Sequence, residues 1–266
     1  MENTSPTPSL TPSLRVTSTP SLLQNKVILI TGAGAGLGLS LSEKLSARGY
    51  TLHGITQTRR HWPEVKRRLK GAPNFYLHQA DVTSEAAVRR VVAAIARKEK
   101  KIDVLINNAG YAGKLKRLEK ESLQELEKNL SSNLVSVFLM SKYTLPHLLK
   151  QDDSWLINIS SMAGKRSVPQ LALYSASKFG VLALSQAIAK ENPDSGLHAI
   201  TVCPGGMNTA MRAKIFGWED ARKQQSPDFV AERIVDILEN RIEVPQGGDI
   251  VMRYGQITSI NPPPEA

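Results

Sequence analysis

From residue 26 onward, short apolar runs alternate with stretches whose apolar residues recur every three or four positions. The runs at 26–30, 51–56, 75–79, 104–106, 155–160, 199–202 and 249–253 are rich in Val, Ile, Leu and Thr, and many are apolar almost throughout. They predict strands covered on both faces, because a strand with one wet face alternates instead. Over 37–48, Leu37, Leu41 and Leu45 fall four apart, and over 85–98, Val88, Val91, Val92 and Ile95 share one helical face. Further helices are predicted over 123–149, bending near Pro146, over 174–191, and over 227–240, where Pro227 suits a first turn. This alternation predicts an α/β fold: a doubly wound parallel sheet of Rossmann type, about seven strands with helices on both faces.

Residues 1–24 stand apart as a Ser, Thr and Pro-rich stretch with scattered Leu. They are expected to form a disordered tail, leaving 25–266 as a single domain, which suits a chain of 266 residues. The tail lacks the apolar core of a secretory signal. Its many hydroxyls and few acids faintly resemble an organelle transit peptide, so an organelle is the alternative to the expected cytoplasmic location. No apolar run approaches the roughly 18 residues of a membrane span. One cysteine, Cys203, excludes an intrachain disulfide and a Cys-rich metal site. His53, His61, His78, His147 and His198 show no ligand spacing, so no metal is expected. The net charge of +10 points to anionic ligands or simply to a solvated surface. The basic stretch 59–70 has no aromatic beyond Trp62, and nucleic acid is not an expected partner.

Chemistry gathers at the ends of the predicted strands. After the first comes Thr31-Gly32-Ala33-Gly34-Ala35-Gly36-Leu37-Gly38, spaced as T-G-x-x-x-G-x-G. A glycine turn between strand and helix lets backbone approach a pyrophosphate, and the helix start offers N–H groups to it. An acid about 20 residues onward would hold the ribose of NAD. Here the second strand ends in Thr56-Gln57-Thr58-Arg59-Arg60 with no acid between Glu43 and Glu64. Arg59 and Arg60 suit a 2′-phosphate, favouring NADP(H) over NAD(H); the other reading makes them the start of a basic helix.

Tyr174 and Lys178 lie four apart and share a helix face. An ammonium at about 4 Å, with an effective dielectric of about 20, attracts a phenolate by roughly 4 kcal/mol. That is enough to bring a phenol from about 10 towards neutral pH. Ser160-Ser161, Asn107-Asn108-Ala109-Gly110 and Pro204-Gly205, with Thr209 beyond, follow three other predicted strands. Open α/β sheets bind ligands in the crevice at such ends.

Together the glycine pattern, Asn107-Asn108-Ala109-Gly110, Ser161, Tyr174-x-x-x-Lys178 and Pro204-Gly205 resemble the short-chain dehydrogenase/reductase family over residues 26–254. The resemblance implies hydride transfer between a nicotinamide and a carbonyl or secondary alcohol. It implies Tyr174 as general acid or base, Ser161 as the group orienting the substrate oxygen, and Lys178 as ribose ligand and modifier of Tyr174. Asn133 would anchor a water for proton relay. Gly32, Gly36, Leu37 and Gly38 would meet the pyrophosphate, and Asp81-Val82 the adenine. Asn108, Ala109 and Gly110 would lie near the cofactor ribose, and Pro204, Gly205, Met207 and Thr209 near the carboxamide. A homodimer or homotetramer is implied by the resemblance alone. Two departures blur cofactor choice: Ala35 stands where NADP users often place a base, and Thr56 where NAD users place an acid.

Tyr111, Met162, Val168, Leu171, Met207, Met211, Ile215, Phe216 and Trp218 are expected to wall an apolar substrate pocket, with 205–227 as a lid carrying a short helix. The basic stretch leans towards a 3-oxoacyl thioester on an anionic carrier; a solubilising helix explains it equally well. A catalytically silent, dinucleotide-bound sensor is the alternative to an enzyme.

Overall fold

The computed structural model describes residues 26–265, so the expected tail over 1–24 lies outside the described residues. Eight strands form one sheet in the order β3-β2-β1-β4-β5-β6-β7-β8. They are β1 (Val27–Thr31), β2 (Thr51–Thr56), β3 (Phe75–Gln79), β4 (Val104–Asn107), β5 (Ser154–Ile159), β6 (Leu197–Pro204), β7 (Asp249–Arg253) and β8 (Gln256–Asn261). The first seven run parallel. The expected doubly wound Rossmann-type α/β fold is therefore present, with one strand more than the seven expected.

The additional strand, β8, pairs antiparallel with β7. Arg253 faces Gln256 across Tyr254 and Gly255, which have φ of 55° and 71°. Two positive φ values in a two-residue loop make the turn whose twist matches paired strands. The β-branched residues of β8, Ile257, Thr258 and Ile260, suit a paired strand.

Alternate residues of each strand point to opposite faces. Ile28, Ile30, Ile106, Ile157 and Val202 pack on one side with Leu37, Leu41 and Leu45 of α1 (Gly36–Ser46). Residues of the last helix (Pro227–Leu238), including Val230 and Ile234, complete that layer. Val27, Leu29, Leu105 and Leu156 pack on the other side under Val88, Val92 and Ile95. A short helix, α2 (Trp62–Arg68), follows β2, and α3 (Glu85–Glu99) follows β3, capped by Ser84.

The predicted helix 123–149 is instead three pieces: α4 (Leu123–Leu130), a π-helical turn (Ser131–Val135) and α5 (Ser136–Leu148). Pro146 lies near the end of α5, where few helical bonds remain to break. The interruption falls at Asn133 instead, and such π turns are concentrated at functional sites. Next come α6 (Ala172–Glu191), α7 (Ala210–Phe216) and α8 (Trp218–Arg222), with α9 being Pro227–Leu238. The expected lid segment thus carries two short helices. Among the described residues no helix is long and apolar enough to cross a membrane.

Candidate active site

The strand order reverses direction between β1 and β4, and ligand crevices of such sheets open there, at the strands' carboxyl ends. A cleft of about 680 Å³ lies at that position. Gly32, Gly36, Leu37, Asp81, Val82, Asn108, Ala109, Gly110, Tyr174, Lys178, Met207 and Thr209 all line it. Gly38, Arg59, Arg60, Asn133, Ser161, Pro204 and Gly205 do not.

The glycine loop has the shape a pyrophosphate needs. Gly32 and Gly36 have φ of +68° and +52°, where a side chain brings strain. A Cβ on Gly36 would lie 3.2 Å from Thr209 Cγ2 and narrow the gap between them. A Cβ on Gly38 would lie 2.2 Å from the Gly32 carbonyl oxygen, so Gly38 serves close packing behind the loop. Ala35 begins α1 without a side-chain cap. The N–H groups a helix start leaves unpaired are therefore available at Gly36 and Leu37. Thr31 Oγ1 accepts hydrogen bonds from the Asn108 and Ala109 N–H groups, each 3.0 Å. The Asn108 amide donates to the carbonyls of Thr31 at 3.0 Å and Gly32 at 3.3 Å. Asn108 thus holds the loop's shape while presenting an edge to the cleft.

At the β2–β3 end the wall is Thr56, Gln57, Thr58, His61 and Asp81. Asp81 accepts from the Thr83 N–H at 2.9 Å, the Thr83 hydroxyl at 2.7 Å and the Gln57 amide at 3.2 Å. Burial pushes its carboxyl up, and these hydrogen bonds overcome that and bring it below the usual range. Arg59 Nε donates to Gln79 Oε1 at 3.0 Å, and its guanidinium lies 4.9 Å from the Trp62 ring centroid. Arg59 lines a separate hollow between β3 and α3. Arg60 is exposed. The basic-helix reading of this segment has its counterpart in α2, which opens at Trp62 rather than at the arginines.

The catalytic side is built on β5 and α6. Ser161 caps the start of the 3-10 turn (Met162–Gly164) that follows β5, and its Oγ accepts from the Ala163 N–H at 3.1 Å. The same side chain is near enough to Tyr174 to lower the titration of its phenol. Ser160 donates to the Lys178 carbonyl at 2.9 Å, a bond that fixes α6 against β5. Lys178 Nζ donates to the Ile159 carbonyl at 2.8 Å and lies 5.9 Å from the Tyr174 ring centroid. Asn107, by contrast, donates to Asn158 Oδ1 on the neighbouring strand at 2.8 Å and works inside the sheet.

The titration expected of this pair is corrected by its surroundings. Burial pushes the Tyr174 phenol above its ordinary value, and Ser161 offsets this only in part. Burial likewise pushes Lys178 down to about 8. Lys178 is still mostly charged at neutral pH, but it donates to a backbone carbonyl 2.8 Å away and lies 5.9 Å from the Tyr174 ring, and burial outweighs any pull it has on the phenol. Cys203, nearby, is pushed up to about 12 by burial and stays a thiol.

Asn133 sits in the π turn, fully buried. Its Oδ1 accepts from the Tyr111 N–H at 2.7 Å, and its Nδ2 donates to the Tyr111 carbonyl at 2.7 Å and to Ser177 Oγ at 2.9 Å. Ser177 in turn donates to the Tyr174 carbonyl at 2.8 Å. Both donors of the Asn133 amide are thus committed to clamping Tyr111 against α6. Gly110 fits between the two: its Cβ would lie 3.1 Å from Asn133 Oδ1 and 3.6 Å from Lys178 Nζ.

Of the nine residues expected to wall a substrate pocket, only Tyr111, Met207 and Met211 do so. Met162 packs beside Leu182, Cys203 and Val251 in the core, Leu171 is buried, and Phe216 lies under Arg212. In their place stand Lys128, Ser131 and Ser132, which the sequence reading missed. The signal was their spacing: three and four residues from Lys128, both serines share its helix face.

A family model described as short chain dehydrogenase matches residues 26–220. The NADPH-dependent pterin aldehyde reductase of Arabidopsis thaliana is 28% identical over 232 residues, 87% of this chain and 95% of that protein. The crystal structure of levodione reductase matches with a TM-score of 0.80 at 26% identity, covering 86% of this chain and 96% of that one. That of 3-ketoacyl-(acyl-carrier-protein) reductase from Brucella melitensis, complexed with NADH, matches with a TM-score of 0.78 at 25% identity, covering 86% and 97%.

Proposed function

The chain belongs to the short-chain dehydrogenase family, NAD(P)-dependent oxidoreductases acting on CH–OH groups, and on that premise we propose that it reduces a carbonyl compound with NADP(H). The observation that carries this is that Tyr174 and Lys178 line one wall of a cleft whose other side is an open glycine loop, with Ser161 next to Tyr174 just behind that wall. When bound, the dinucleotide supplies the hydride. Gly32, Gly36 and Leu37 hold its pyrophosphate, Asp81 and Val82 border its adenine, and Met207 and Thr209 border its nicotinamide end.

Ser161 orients the carbonyl oxygen and shares its negative charge as the carbon is reduced. Tyr174 donates the proton to that oxygen. Its raised phenol stays protonated through the neutral range, which suits the acid role in reduction. Lys178 holds the ribose side of the site. Asn133 is a positioning residue: it sets Tyr111 and, through Ser177, the turn of α6 that carries Tyr174. The intact hydroxyl pair weighs against a silent sensor.

NADP(H) is favoured because the segment after β2 contributes Gln57, Thr58 and His61 and no carboxylate to the wall, the acid there, Asp81 after β3, being engaged by Thr83 and Gln57. Arg59 and Arg60 belong to that segment but lie outside the wall. The Arabidopsis relative's name, which specifies NADPH, supports the same preference. The test is the absorbance change of NADPH and of NADH over a panel of aldehydes and ketones. Turnover with NADPH, lost in Tyr174→Phe, upholds the reading. Preference for NADH that Arg59→Ala and Arg60→Ala leave unaltered removes the phosphate assignment. The reading also includes cytoplasmic residence and a homodimer or homotetramer, the latter checked by sedimentation.

A further inference from the structure

Every charged side chain in the cleft wall has a task except one. Asp81 is engaged by Thr83 and Gln57 at the β2–β3 end. Lys178 belongs to the catalytic pair, and His61 lies by the glycine loop, its Cβ 3.1 Å from where a Cβ of Gly34 would be. Lys128 remains. It stands on the last turn of α4, lines the cleft, and is exposed. Among the described residues it makes no ion pair within 4.0 Å. Its Nζ is held 4.2 Å from the centroid of the Tyr111 ring. An aromatic face restrains an ammonium without neutralising it.

The platform under it is firm. Asn133 clamps both the N–H and the carbonyl of Tyr111. Tyr111 directly follows Gly110, which fits against Lys178 Nζ. Lys128 is therefore anchored to the catalytic wall rather than to the distant β2–β3 end. Glu125 and Lys128 both approach the Tyr111 hydroxyl, which burial and then Glu125 push up and Lys128 pulls down, yet the two make no ion pair within 4.0 Å. Glu125 Oε1 lies 3.4 Å from Asn129 Nδ2 and 2.9 Å from where a Cβ of Gly113 would be, and Glu125 does not line the cleft whereas Lys128 does. Ser131 and Ser132 add hydroxyls on the cleft side. A cation with no carboxylate partner, held in place beside hydroxyl donors, attracts anions.

We propose that Lys128 is a specificity-determining residue that takes an anionic group, such as a carboxylate or phosphate, on the carbonyl substrate. The substrate class is an aldehyde or ketone carrying a negative charge a short distance from its carbonyl. This rests on the reductase reading above.

The experiment compares 4-formylbenzoate with its uncharged methyl ester under NADPH. Expected is a kcat/KM at least tenfold higher for the carboxylate, residing in KM and shrinking as salt is raised. Lys128→Met brings the ratio close to one, whereas Lys128→Arg keeps it. Equal use of both probes by the natural protein, or a ratio that Lys128→Met leaves intact, overturns the proposal. So does a loss of NADPH affinity in Lys128→Met that accounts for the whole effect, because the lysine then serves the cofactor. Calorimetric binding of 4-methylbenzoate and its methyl ester to the NADPH-loaded protein separates this from the reductase reading. Binding of the acid alone, lost in Lys128→Met, upholds the anion site even if no probe is reduced. Absence of that binding overturns it even if both aldehydes are.

Discussion

The two halves of the sheet do their work with different parts of the chain. On the β1–β3 side, the cleft is shaped by backbone: glycines with positive φ, a helix start without a side-chain cap, and Asn108 bound to main-chain carbonyls. On the β4–β6 side the elements behind the cleft wall are tied together by side chains bonded to side chains. Asn107 donates to Asn158 at 2.8 Å, Asn158 to Ser185 at 2.8 Å, and Asn133 to Ser177 at 2.9 Å, all in the interior. The first side also has a buried polar cluster, His53 between His78 and Glu99, but none of the three lines the cleft or bonds a side chain that does, whereas Asn133 holds the lining residue Tyr111. Burial pushes His53 down to about 4, so that ring stays neutral at working pH. The lesson is that cofactor shape and proton chemistry rest on separable foundations, one steric and one hydrogen-bonded.

The largest effect that tests this separation is expected from Tyr174→Phe. Carbonyl reduction falls by about 10²–10⁴-fold, while the dissociation constant of NADPH, followed by fluorescence, changes only a few-fold. A matching loss of NADPH binding would falsify the division. Next comes Gly38→Ala, whose Cβ would lie 2.2 Å from the Gly32 carbonyl oxygen and 2.6 Å from Asn108 Nδ2. Overpacking against backbone costs about 3 kcal/mol or more, read as a lower urea midpoint together with weaker NADPH binding.

Asn158→Leu removes the link between Asn107 and Ser185 and leaves both without that partner. A loss of about 1–3 kcal/mol in urea unfolding is expected, with NADPH affinity in the surviving folded protein nearly unchanged. The smallest effect is one of sign. Lys178 titrates at about 8 when folded against an ordinary 10.5, so between these values the unfolded chain binds more protons. Its contribution to stability is therefore full above pH 10.5 and declines as pH falls through 8. Between pH 9 and pH 7 that decline is about 1 kcal/mol. Lys178→Met abolishes this part of the pH dependence, and unfolding curves at the two pH values check it.

Legibility in the sequence followed the same division. Steric demands leave marks on residue type: Gly32, Gly36 and Gly38 announce the loop, and continuous apolar runs announce buried strands. The bounds 51–56, 75–79 and 249–253 match β2, β3 and β7 residue for residue. Tyr174 and Lys178 were readable because four-residue spacing puts them on one face. What escaped depends on contacts distant in sequence. The π turn at Ser131–Val135 has no local composition signal, because Asn133 is held by Tyr111 and Ser177. The raised Tyr174 phenol reflects burial, which spacing cannot supply. Arg59 points to Gln79 and Trp62 for reasons visible only once β3 lies beside β2.

The π turn has one more consequence. It inserts an additional residue into what would otherwise be one continuous helix, and each residue of an α-helix advances the side chains by about 100°. The insertion therefore acts as a phase setting between α4 and α5. Shortening the stretch by one residue would rotate everything upstream, turning Lys128 away from the aromatic ring beneath it while leaving the apolar seam of α5 seated. Length at this point, more than composition, tunes what the cleft admits.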